Sequence, residues 1–122
     1  MPEGYVIGDG GNYVAVDPRI LERIAIWCAK LEERYNERNP HGFIQTYTPE
    51  ALRRYIRINC NRDDPITSRS VHAFVDPSNG DVLKSASWSK PAKIARFNLL
   101  DDESFQRMLD TCDWSGGYLY IR

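Results

Sequence analysis

The chain has 122 residues, 42% of them hydrophobic and 27% charged, enough for one core without disulfide or metal staples. Sixteen basic residues against seventeen acidic ones give a formal net charge of −1, which excludes a global positive field for holding duplex nucleic acid. Met1-Pro2-Glu3-Gly4 does not open a signal peptide, and no apolar window approaches the roughly 18 residues of a membrane span. One domain over residues 1–122, cytosolic and without a membrane partner, is therefore expected.

Tyr5-Val6-Ile7 and Asn12-Tyr13-Val14-Ala15-Val16 flank Gly8-Asp9-Gly10-Gly11 and predict a short hairpin. Neither Walker nor Rossmann spacing is present, so these glycines read as a turn and not as a phosphate loop. Asp17 then caps a helix with Pro18 at its first position. Ile20, Ile24, Trp27, Leu31 and Tyr35 recur at helical spacing until Asn39-Pro40.

Thr48-Pro49-Glu50 reads as a helix start, followed by a strand from Arg53 to Asn61. With Ile56, Ile58 and Cys60 toward the core, Arg53, Tyr55, Arg57 and Asn59 share the opposite face as a basic, aromatic, hydrogen-bonding row. Val71–Val75, the turn Asp76-Pro77-Ser78-Asn79-Gly80 and Asp81–Ser85 form the clearest hairpin. Asp101 caps a second helix that buries Phe105, Met108, Leu109 and Cys112, and Trp114-Ser115-Gly116-Gly117 turns the chain into a final strand, Tyr118–Ile121.

The resulting order, ββαβββαβ, predicts an α+β fold: two layers, with both helices packed on one face of a mainly antiparallel sheet. Cys28, Cys60 and Cys112 are odd in number, widely spaced and embedded in apolar pattern, which predicts reduced buried thiols.

Between the second hairpin and the second helix, Ser87-Trp88-Ser89-Lys90-Pro91-Ala92-Lys93-Ile94-Ala95-Arg96-Phe97-Asn98 gathers cations and aromatics in a segment read as a ligand-facing loop. Lys and Arg meet phosphate and aromatic faces stack on bases, so the expected ligand is anionic and ring-bearing. Lys84, Lys90, Lys93 and Arg96 are the expected cationic contacts. Trp88, with Phe97, is the stacking group, and Ser87, Ser89 and Asn98 hydrogen-bond the ligand. Arg53, Tyr55 and Arg57 form a secondary basic and aromatic face. The alternative for Trp88 is a core plug at the hairpin end.

The middle order, helix, three strands and helix, is that of a double-stranded-RNA-binding domain, and Ser89–Arg96 superficially resembles its lysine-rich second-helix start. Pro91 and an acidic helix start break that match, so its phosphate contacts are not carried over. A closer resemblance rests on Val71-His72-Ala73-Phe74-Val75-Asp76, Gly80-Asp81-Val82-Leu83-Lys84, Ala86-Ser87-Trp88, Pro91-Ala92-Lys93, Arg96-Phe97-Asn98-Leu99 and Gly116-Gly117-Tyr118-Leu119-Tyr120. Over about residues 69–122 the chain resembles a family of small proteins of tailed bacteriophages, including cyanophages. The resemblance implies phage origin and the cytoplasm of an infected bacterium, and it assigns no catalytic or ligand residue.

Catalysis has little to work with. His41 follows a helix-ending proline and His72 lies in a strand, while Asp63-Asp64 and Asp101-Asp102-Glu103 are explained as turn and helix cap. The expectation is a non-enzymatic protein without cofactor or metal that binds a nucleotide signal or single-stranded nucleic acid in counter-defence. A homo-oligomer is compatible with that role. A protein that binds and blocks a host protein is the alternative, since the tyrosines are numerous enough to leave some exposed. A minor virion component is the third.

Overall fold

The computed structural model describes residues 5–7, 13–42, 44–63 and 68–120. Short strands β1 (Tyr5–Ile7) and β2 (Tyr13–Ala15) pair antiparallel, with Val6 opposite Val14. Gly8–Gly11 lie outside the described residues. Helix α1 (Pro18–Arg38) starts as its sequence predicts: the Asp17 carboxylate accepts the Arg19 N–H at 2.9 Å, and Ile20, Ile24, Trp27, Cys28, Leu31 and Tyr35 are buried along one side.

A five-stranded antiparallel sheet follows as an uninterrupted meander, β3 (Ile44–Ala51), β4 (Ile56–Asp63), β5 (Ser68–Val75), β6 (Asp81–Ser85) and β7 (Pro91–Asn98). Helix α2 (Asp102–Thr111) begins at the expected cap, where Asp101 accepts the Ser104 N–H at 3.1 Å. Both helices lie against the same face. Arg23 of α1 donates to the Leu99 carbonyl at 3.1 Å and pairs with Asp102 at 2.6 Å, while Arg34 reaches the Leu109 carbonyl at 3.1 Å. The core joins Ile20, Ile24, Trp27 and Leu31 of α1 to Tyr47, Ile56, Ile58, Ala73, Val75 and Val82 of the sheet and to Phe105 and Met108 of α2.

The α+β arrangement is as expected, and three segments behave differently from their local pattern. Thr48-Pro49-Glu50 does not start a helix but lies within β3, whose register against β4 sets Pro49 opposite Ile58. Edge position explains this: β3 pairs only β4 within the five-stranded sheet, so a proline there removes no central ladder bond. The cationic segment is a loop only to Lys90, and Pro91–Asn98 form the opposite edge strand, again with proline at an edge. Beyond α2, Gly117–Leu119 form a 3-10 turn in place of the start of a strand, entered through Gly116 at φ 79°. That backbone favours glycine.

The hairpin turn between β5 and β6 is as its residues predict. Asp76 accepts the Ser78 N–H at 3.0 Å, Asn79 accepts the Asp81 N–H at 2.9 Å, and Gly80 takes φ 84°. Cys28 and Cys112 are buried and Cys60 is half-buried, all as free thiols, and burial pushes Cys28 up to about 12.

Candidate functional site

Strand alternation gives the sheet an outer face, away from the helices, built in three rows. Register sets Thr46, Asn61 and Arg69 side by side, then Thr48, Asn59 and Val71, then Glu50, Arg57, Phe74, Leu83 and Ala95. Phe74 is fully buried here, with Tyr55 edge-on at 6.4 Å between ring centroids. Val71, Leu83 and Ala95 are the other apolar members of these rows, and Thr46, Thr48, Glu50, Arg57, Asn59, Asn61 and Arg69 are polar.

The loop after β6 closes tightly, the Ala86 and Ser87 N–H groups both donating to the Lys90 carbonyl at 2.8 and 3.0 Å. It turns Trp88 back over the sheet. The Arg57 guanidinium lies 3.6 Å from the centre of the Trp88 ring, and Arg69 lies 5.6 Å from it. Arg57 Nη1 also donates to the Trp88 carbonyl at 3.2 Å. The indole keeps 40% of its surface exposed, so it is neither a core plug nor a free side chain.

Arg57 itself is buried, and its charge is met there. Its Nη2 pairs with Glu50, its Nε donates to Asn59 Oδ1 at 2.8 Å, and Asn59 Nδ2 donates to Glu50 Oε1 at 3.2 Å. Burial pushes the Glu50 carboxyl upward, but hydrogen bonds from Asn59 and Arg57 and the charges of Arg57 and Arg69 outweigh it and hold the group below its ordinary value. Arg69 stands half exposed, 3.7 Å from Glu50. Beside it Asn61 Nδ2 donates to Thr48 Oγ1 at 2.9 Å. Lys90, in the β6–β7 loop, and Lys93, in β7, are exposed.

The residues expected to share one ligand are thus distributed. Trp88 and Arg57, assigned from sequence to a primary and a secondary surface, meet in one stack, with Lys90 and Lys93 on neighbouring chain. Arg53 is exposed in the β3–β4 turn, and Tyr55 packs on Phe74. Lys84 projects to the helix side, 4.5 Å from the Tyr120 ring centre. Arg96 is tied to carbonyls, its Nε to Leu119 at 2.6 Å and its Nη1 to Ile94. Asn98 organises the entry to α2: its Oδ1 accepts the Leu100 and Asp101 N–H groups at 2.8 and 3.1 Å, and its Nδ2 donates to Asn79 O and Asp81 Oδ1 at 3.0 and 2.8 Å.

Glu50, Asn61, Thr48 and Arg69 were not singled out as ligand-facing from sequence, whereas Asn59 stood in the expected row with Arg57. Glu50 was hidden in the apparent helix start. Arg69 becomes visible only when β5 is extended back to Ser68 and paired with β4. Of the histidines, His41 is exposed after α1 and His72 is buried against Trp27, Tyr47 and Tyr118. Asp64, with the Asp63 side chain, lies outside the described residues. No described helix is long and apolar enough to cross a membrane.

Fold and site together define a small α+β protein whose antiparallel meander carries an arginine-stacked tryptophan on its open face. The chain belongs to a family of unknown function, DUF7717, whose model matches residues 15–121. No curated protein and no solved structure shows a significant match to it.

Proposed function

We propose that this chain is a non-enzymatic phage accessory protein that binds single-stranded nucleic acid across the outer face of its sheet. The observation that carries the reading is the Trp88 indole, stacked on Arg57 and left 40% exposed beside Arg69. A base laid on the free side of that ring completes a stack that starts from a fixed guanidinium, and stacking of this kind contributes about 1–3 kcal/mol per base. Arg69, Lys90 and Lys93 supply phosphate contacts, and Thr48 and Asn61 offer hydrogen bonds along the strands. The face is open, which suits a strand passing over it better than an enclosed mononucleotide. Phage origin is supported by the resemblance of residues 69–122 to proteins of tailed bacteriophages, and counter-defence is the setting this suggests.

The test is fluorescence anisotropy of a labelled twelve-nucleotide oligothymidylate at several salt concentrations. Binding is expected to weaken with salt, to fall at least about tenfold in Trp88→Ala, and to lose about one unit of salt slope in Arg69→Ala. An unchanged affinity in folded Trp88→Ala overturns the site.

A second reading, a protein that binds and blocks a host protein, is supported by the β7 edge, where Ile94 is 61% exposed. An edge strand with an exposed aliphatic residue can add a partner's strand. Host protein retained by the wild-type chain and released by Ile94→Lys would favour this reading.

A further inference from the structure

On the helix side of the sheet, the segment after α2 borders, with residues of β4, β5 and β6, a cavity of about 210 Å³. Cys60, Ser70, His72, Lys84, Ser115 and Tyr120 are among the residues that line it. The site is apart from Trp88, which stands on the other face.

Hydrogen bonding fixes what His72 presents. Trp27 Nε1, which can only donate, gives its proton to Tyr118 Oη at 3.0 Å. The buried Tyr118 hydroxyl must place its own proton on an acceptor, and His72 Nε2 lies 2.7 Å away. His72 is therefore neutral with its proton on Nδ1. That N–H has no partner among the described residues, and His72 lines the cavity.

Lys84 adds charge. Its ammonium donates to the Ser85 carbonyl at 3.2 Å, lies over Tyr120, and has no carboxylate partner among the described residues. The Ser115 hydroxyl accepts the Gly117 N–H at 3.3 Å, leaving its proton to donate. Asp113, whose charge reaches His72, lines the neighbouring groove with Phe97 and Arg107 instead of this cavity.

We infer that this cavity is a second ligand site, for a small tetrahedral oxyanion such as phosphate, held by Lys84, the His72 Nδ1–H and the hydroxyls of Ser70 and Ser115. Its volume is below the roughly 300–1,000 Å³ of sites for drug-sized molecules, so a nucleoside does not fit. It corresponds to the space of about seven waters, enough for a phosphate with part of its hydration. Donors from several elements suit the several oxygens of phosphate better than the two of a carboxylate.

The experiment is titration of the full chain with inorganic phosphate at pH 7 and constant ionic strength, followed by calorimetry and by the ¹⁵N resonances of the His72 ring, with acetate as control. Expected are saturable one-to-one binding, a shift of the His72 nitrogens, and affinity at least about tenfold weaker in Lys84→Met, because a charged hydrogen bond is lost. Trp88→Ala should bind phosphate as the wild type does. Ser70→Ala, at an exposed position, should weaken binding severalfold and serves if Lys84→Met does not fold. No saturable shift of His72, equal affinity in folded Lys84→Met, or equal binding of acetate overturns the inference.

Discussion

Arg57 of β4 and Trp88 of the β6–β7 loop are joined twice, ring face to guanidinium at 3.6 Å and carbonyl to Nη1 at 3.2 Å. The loop is thereby fastened to a central strand, and Trp88 acquires an orientation that a five-residue turn alone would not give it. Because Arg57 is buried, its pairing with Glu50 is the condition for the stack.

Glu50→Ala leaves the Arg57 charge buried with only neutral acceptors. A loss of about 2–4 kcal/mol is expected, reduced in magnitude from a fully buried pair because Glu50 is partly exposed. Urea unfolding measures it. The double variant Glu50→Ala/Arg57→Met should recover most of the loss, since the stranded charge is then gone.

Stability should fall in acid through His72. Burial lowers its pKa from 6.5 to about 4, against a smaller opposite effect of Asp113. Between those values the unfolded chain binds the proton and the folded chain does not, so stability falls as pH drops through that window, by on the order of 3 kcal/mol in full. Urea midpoints at pH 7, 6 and 5 test the slope, which should flatten in His72→Gln. Glu50 acts lower: its depressed pKa gives stability present above the ordinary carboxylate value and lost as pH falls through the folded one.

Asn98→Ala removes four hydrogen bonds at the junction of β7 and α2 and should cost about 2–3 kcal/mol. In contrast to a residue that acts only on ligand, its thermal midpoint should drop even without nucleic acid. Arg96→Ala should behave in the same direction, because Arg96 holds the Leu119 carbonyl. Unchanged melting of both variants, with weaker oligonucleotide binding, would restore them to the ligand surface.

Gly80→Ala should destabilise by about 1–2 kcal/mol, measured by thermal unfolding. Its φ of 84° disfavours a side chain, and an added Cβ would lie 3.1 Å from Leu100 Cγ.

Several elements were legible because their signals are local. Asp17-Pro18 with the stripe Ile20, Ile24, Trp27, Leu31 and Tyr35 specifies α1, and Asp76 to Gly80 specifies the β5–β6 turn, since capping and turn chemistry act within four or five residues. The separation of Ile56 and Ile58 from Arg57 and Asn59 was likewise readable, because alternation assigns faces without knowledge of partners. β3 and β7 were less so. Their prolines and charged residues suit edge positions, and whether a segment lies at an edge is a property of the assembled sheet.

Sequence by itself therefore determined the α+β class, the helix boundaries at their caps, the free cysteines' apolar settings and the richness of the Trp88 region in cations. Tertiary structure alone decided that Trp88 stacks on Arg57, that Arg96 and Asn98 bind backbone and neighbouring side chains, and that Lys84 shares a cavity with His72. The physical reason is range: caps, turns and alternation are written in neighbouring residues, whereas a stack across 31 positions or a relay across 91 exists only once antiparallel pairing and helix packing bring those positions together.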